Sequence, residues 1–113
     1  MCSCQDKEAD APELLTKQAQ QIGTSSAVFE AELVEVGPVR PVLIGFLWDS
    51  QPDISIGTAS QKFVLGPASD PRLFSINVGN LVPATTYYYR SFAANSNYTL
   101  LYYGQVVSFT TLP

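Results

Sequence analysis

Apolar residues along this chain fall into short runs separated by Gly, Pro, Asn and Ser, and no run keeps the spacing of an amphipathic helix. The clearest alternation is RLFSINV (72–78), where Phe74, Ile76 and Val78 oppose Leu73, Ser75 and Asn77, as in a strand with one buried face. SAVFEAELVEV (26–36) sets Phe29, Ala31 and Leu33 against Glu30 and Glu32 and is broken by Gly37-Pro38. PVLIGFLW (41–48) is apolar on both faces, which predicts a central strand that is covered on both sides or shows an apolar face. QKFVL (61–65) is a short strand closed by Gly66-Pro67, and DSQPD (49–53) is a loop by composition. TTYYYRSFAA (85–94) and YYGQVVSFTT (102–111) complete the β-rich set. LLTKQAQQI (14–22) is ambiguous: its Gln and Lys permit a helix, whereas its place before GTSS suits a polar edge strand. Seven runs at this spacing predict an all-β fold, a seven-stranded antiparallel β-sandwich over residues 14–113.

Composition narrows the function more than the fold. The 113 residues suffice for one domain with its own core, and 46% hydrophobic against 14% charged residues is a folding composition. Net charge is −4 and the six Lys and Arg are scattered, so no basic stripe exists to displace counterions from phosphates; nucleic acid is not an expected partner. The absence of His removes the commonest general base and a common metal ligand. Serines are many, but there is no Ser-x-x-Lys and no G-x-S-x-G. Asp49, Asp53 and Asp70 sit in loops without calcium-loop spacing and read as solvated acids. The chain is therefore expected to be no enzyme and to carry no cofactor or metal.

The tyrosine run divides by the same period-two rule. Tyr87, Tyr89, Ser91 and Ala93 are expected inward, and Tyr88, Arg90 and Phe92 outward. Leu81, Pro83, Thr85 and Tyr87 form an L-x-P-x-T-x-Y spacing that resembles the lead-in to strand F of fibronectin type III domains, where the Tyr hydroxyl bonds back to the backbone. With GFLW (45–48) and YYGQVVSFTT (102–111), the run is similar to a fibronectin type III-like module common in surface lipoproteins of Bacteroidetes. NSNYTLLYY (95–103) departs from the usual short F–G turn. The resemblance implies strands C, F and G as neighbours and a spacer, adhesive or ligand-presenting role without catalytic residues.

Residues 1–13 are expected to be a tether. Ser3-Cys4 resembles the end of a bacterial lipobox, and QDKEAD is similar to the acidic tether that follows the lipidated cysteine in such proteins. Met1 stands where an upstream leucine is usual, and Cys2 is the alternative acceptor. The resemblance implies lipidation at Cys4, an address at the bacterial outer membrane or cell surface, and membrane contact through the anchor only. Further domains downstream are compatible with a chain that stops as strand G closes. Two partner classes remain. A protein would meet an outward C/F/G face of Leu43, Leu47, Tyr88, Arg90, Phe92 and Val106, unless another domain covers it. A cell-surface glycan would use loop aromatics, namely Tyr98, Tyr102, Tyr103 or Trp48. Trp48 is expected inward with Ile44 and Phe46, its alternative being a stack on a sugar.

Overall fold

Alternation along Ala27–Glu35 buries Ala27, Phe29, Ala31 and Leu33 on one face and leaves Val28, Glu30 and Glu32 on the other. The same rule, applied strand by strand, builds the two layers. The computed structural model describes residues 11–38 and 40–113, so Cys2 and Cys4 lie outside the described residues. Eight strands follow in order: β1 (Glu13–Thr16), β2 (Ala27–Glu35), β3 (Val42–Asp49), β4 (Gln61–Ala68), β5 (Arg72–Val78), β6 (Thr86–Ala94), β7 (Leu101–Tyr103) and β8 (Val107–Thr110). One antiparallel sheet has the order β1-β2-β5; the other runs β4-β3-β6, with β7 and β8 pairing β6 in succession.

Phe29 sits at the centre of the core between the sheets. It stacks on Tyr89 with ring centroids 4.1 Å apart and meets Phe46, Trp48 and Phe109 edge-to-face at 5.3–5.9 Å. Such pairs add about 0.5–1.5 kcal/mol each beyond the area they bury. Tyr87, Tyr89, Ser91 and Ala93 face inward as expected, and the Tyr87 hydroxyl accepts the Val82 amide at 2.9 Å, forming the corner that the spacing predicts.

Three sequence expectations change. The ambiguous 14–22 segment holds only a short strand, ending at Thr16, and then an irregular stretch tied to β2 by a Gln20–Val28 bridge and by Lys17 N–H to Glu30 O at 2.8 Å. QKFVL does not stop at Gly66: as an edge strand it runs on to Ala68, because Pro67 has no neighbour that needs its missing N–H. The last run is two strands, which raises the count from seven to eight. Gly104 lies at the break, pressed against β1 and β6; a Cβ there would fall 2.4 Å from Ser91 Oγ and 2.5 Å from Thr16 Oγ1.

The two sides of the sandwich differ. On the β1 side, Thr16 Oγ1 and Ser91 Oγ share a buried hydrogen bond of 2.9 Å, and Thr16 N–H donates to Gln105 Oε1 at 3.0 Å. Tyr89 adds a hydroxyl bond to the Lys17 carbonyl, so this side is stitched by polar groups. On the opposite side no ladder joins β4 to β5.

Candidate recognition surfaces

The outward face of β3 and β6 is where the sequence placed a protein contact, and most of it is covered. The β3–β4 connection folds back over the sheet and drives Ile54, 2% exposed, against Leu47, Phe92 and Ala94. Asp49 holds the ends of that connection together, its carboxylate accepting Ser50 N–H at 2.7 Å and Ser60 N–H at 3.0 Å. Arg90 ties it down: Nη1 donates to Ile54 O at 3.0 Å, while Nε and Nη2 donate to Gly104 O at 2.9 and 2.8 Å. Its guanidinium lies 4.7 Å from the centre of the Tyr103 ring, and the Tyr103 hydroxyl accepts Ile56 N–H at 2.9 Å. Burial lowers the pKa of Arg90 and the nearby Tyr103 opposes that shift. The group stays cationic at neutral pH.

Of the expected display of Leu43, Leu47, Tyr88, Arg90, Phe92 and Val106, the part at Leu47 and Phe92 is corrected. Leu47 and Phe92 point away from the main core but are fully buried beneath the connection. Leu43, Tyr88 and Arg90 are half-buried, and Val106 is 37% exposed in the break between β7 and β8. The loop aromatics form no row either. Tyr98 and Tyr103 pack with the Leu47–Phe92 cluster, with Lys62 Nζ 5.4 Å from the Tyr98 ring centre, whereas Tyr102 packs on the main core. Trp48 packs inward on Phe29, as expected.

Apolar side chains stay exposed at Leu15, Leu100 and Leu112, and also along the β4–β5 side. Gln61 and Phe63 lie opposite Trp48 and Phe46 across the β3–β4 ladder, so they share the inward face. The facing sheet ends at β5, and these side chains overhang it. Phe63 is 49% exposed, Leu65 39%, and Leu73 on β5 60%. Two clefts follow the seam. One, of ≈ 590 Å³, is bounded by Trp48, Gln61, Phe63, Asn77, Asn80 and Tyr87. The other, of ≈ 300 Å³, is bounded by Ile44, Leu65, Arg72, Leu73 and Phe74. The sequence reading passed over this side, although Phe63 and Leu65 alternate with Lys62 and Val64 in QKFVL.

With this geometry, comparison with solved structures decides the fold. The chain is similar to the sensor domain of the anti-sigma factor RsgI4 in Pseudobacteroides cellulosolvens, with a TM-score of 0.64 at 19% identity over 89% of this chain and 94% of that one. It is also similar to the fibronectin type III domain of human fibronectin type III domain containing protein 3, with a TM-score of 0.55 at 17% identity over 99% of this chain and 94% of that one. The fold is fibronectin type III-like. A computationally redesigned β-sandwich protein matches as well, with a TM-score of 0.56 at 23% identity over 92% of this chain and 96% of that one. No family model matches, and no curated protein sequence does.

Proposed function

We propose that this chain is a non-catalytic module displayed at a bacterial cell surface, lipid-anchored to the outer membrane through Cys4, that serves as a structural or protein-interaction domain. The observation that carries the interaction is the overhang of β4: Phe63 and Leu65 keep apolar surface in solvent on the side where the facing sheet ends, and Leu73, on the outer face of β5, borders the same cleft as Leu65. The C/F/G face offers far less, because its apolar centre is already covered by the β3–β4 connection. Similarity to sensor and fibronectin type III domains supports a role in recognition or spacing over one in chemistry. Among the described residues no three acidic or thiol side chains converge on one point.

A photo-crosslinking amino acid placed at position 65 or 73 in cells tests this reading. Protein adducts are expected from those positions and not from position 43 or 88; adducts from 43 and 88 alone would overturn it. In the same cells Cys4→Ser is expected to release the protein from the membrane fraction, and Cys2→Ser to leave it bound. Retention of the Cys4→Ser protein would overturn the anchor assignment.

A further inference from the structure

We infer that the cleft between Trp48 and Tyr87 is a binding site for a neutral oligosaccharide. This goes beyond the protein-contact reading: it shares Phe63 with that reading but not Leu65 or Leu73, and the ligand is of another class. At ≈ 590 Å³ the cleft falls within the range of about 300–1,000 Å³ usual for small-ligand sites. Its lining contains no Asp, Glu, Lys or Arg. What it does contain is two primary amides, on Gln61 and Asn80, together with the Ser50 hydroxyl; Ser60 Oγ already donates to the Trp48 carbonyl at 3.4 Å, and Asn77, paired with Val28 on the outer face of β5, turns its amide away.

Each amide carries two N–H donors and one acceptor oxygen. Neither amide forms a side-chain hydrogen bond among the described residues. Trp48, Phe63 and Tyr87 supply aromatic surface beside them. A sugar ring has the matching chemistry, with apolar C–H faces and a rim of uncharged hydroxyls. A cleft without charge gives no purchase to an acidic or basic ligand.

The walls are set before anything binds. Trp48 is held edge-to-face against Phe29 at 5.3 Å, and the Tyr87 hydroxyl is fixed by Val82 N–H at 2.9 Å. Gln61 sits on β4, and Asn80 holds a left-handed turn with φ 60°. The aromatic walls need little ordering, and only the amide side chains are ordered on binding.

Trp48 is the only tryptophan of the chain, so its emission reports from inside the cleft. The full chain is titrated with hexasaccharides of β-1,4-linked glucose, xylose and mannose, with hexagalacturonate as an anionic control and a Ser-Val repeat hexapeptide as an edge-strand control. Calorimetry runs in parallel. A saturable change is expected with at least one neutral hexasaccharide, at the same affinity in 50 and 500 mM salt and without a response to hexagalacturonate. Gln61→Ala/Asn80→Gly, which removes about two hydrogen bonds and keeps the left-handed turn at position 80, is expected to weaken it roughly tenfold or more with an unchanged melting temperature. Tyr98→Ala is expected to leave it unchanged. Silence in both emission and heat for all three neutral sugars would overturn the inference, as would binding that survives the double variant. A response to the hexapeptide in place of the sugars would give the cleft to an edge-pairing peptide instead.

Discussion

Tyr89 shows how one buried side chain couples the core to pH. Burial pushes its phenol up to about 12 from an ordinary value of 10; the Glu30 carboxylate adds to the shift and the Glu30 backbone amide opposes it. The unfolded chain therefore ionises first as pH rises. The stabilisation from keeping Tyr89 neutral is complete below about pH 10 and is lost on the way to pH 12. Between pH 9 and 11.5, urea midpoints of Tyr89→Phe are expected to fall less steeply than those of the parent, by roughly 2 kcal/mol at the upper end. Parallel pH slopes would contradict the shift. Gly45 is the other residue whose role is local: a Cβ there would lie 2.1 Å from Phe63 O and 2.8 Å from Phe92 Cε1. Gly45→Ala is expected to cost about 3 kcal/mol in urea unfolding, since strand β4 has to shift to admit a methyl group.

Among the elements, the β3–β4 connection depends on few anchors. Arg90→Met leaves the carbonyls of Ile54 and Gly104 without their guanidinium partner. It is expected to cost about 2–3 kcal/mol and to move the first proteinase K cuts into residues 50–60. Arg90→Lys is expected to restore only part of this, because an ammonium cannot fork to both carbonyls; full rescue would contradict the forked geometry. These elements also mark where the sequence was legible. RLFSINV and TYYYRSF gave their faces away by alternation, and the lead-in at Leu81–Tyr87 announced its corner. DSQPD was legible as a loop, but its composition says nothing of Ile54 turning back onto Leu47 and Phe92, a long-range event that local pattern does not encode. The same holds for Gly104. Its strand run reads as continuous, and only the approach of Thr16 and Ser91 explains the break.

At the scale of the whole molecule, the fold pairs a closed side with an open one. Hydrogen bonds from Thr16 N–H to Gln105 Oε1 and from the Tyr89 hydroxyl to the Lys17 carbonyl, with the shared Thr16–Ser91 bond, seal the β1 side, whereas a sheet reaching out to β4 faces a partner that ends at β5. Strand number and order alone create the overhang, so no single run of sequence reveals Phe63 and Leu65 as surface residues. The account turns on which apolar surface water reaches: the β4–β5 side, and not the covered face of β3 and β6. Paramagnetic relaxation by a soluble gadolinium chelate measures this directly on assigned leucine methyls. Leu65 and Leu73 are expected to broaden strongly, while Leu47, at 0% exposure, stays sharp. Broadening of Leu47 with protection of Leu65 and Leu73 would place the free surface on the other face and contradict the account.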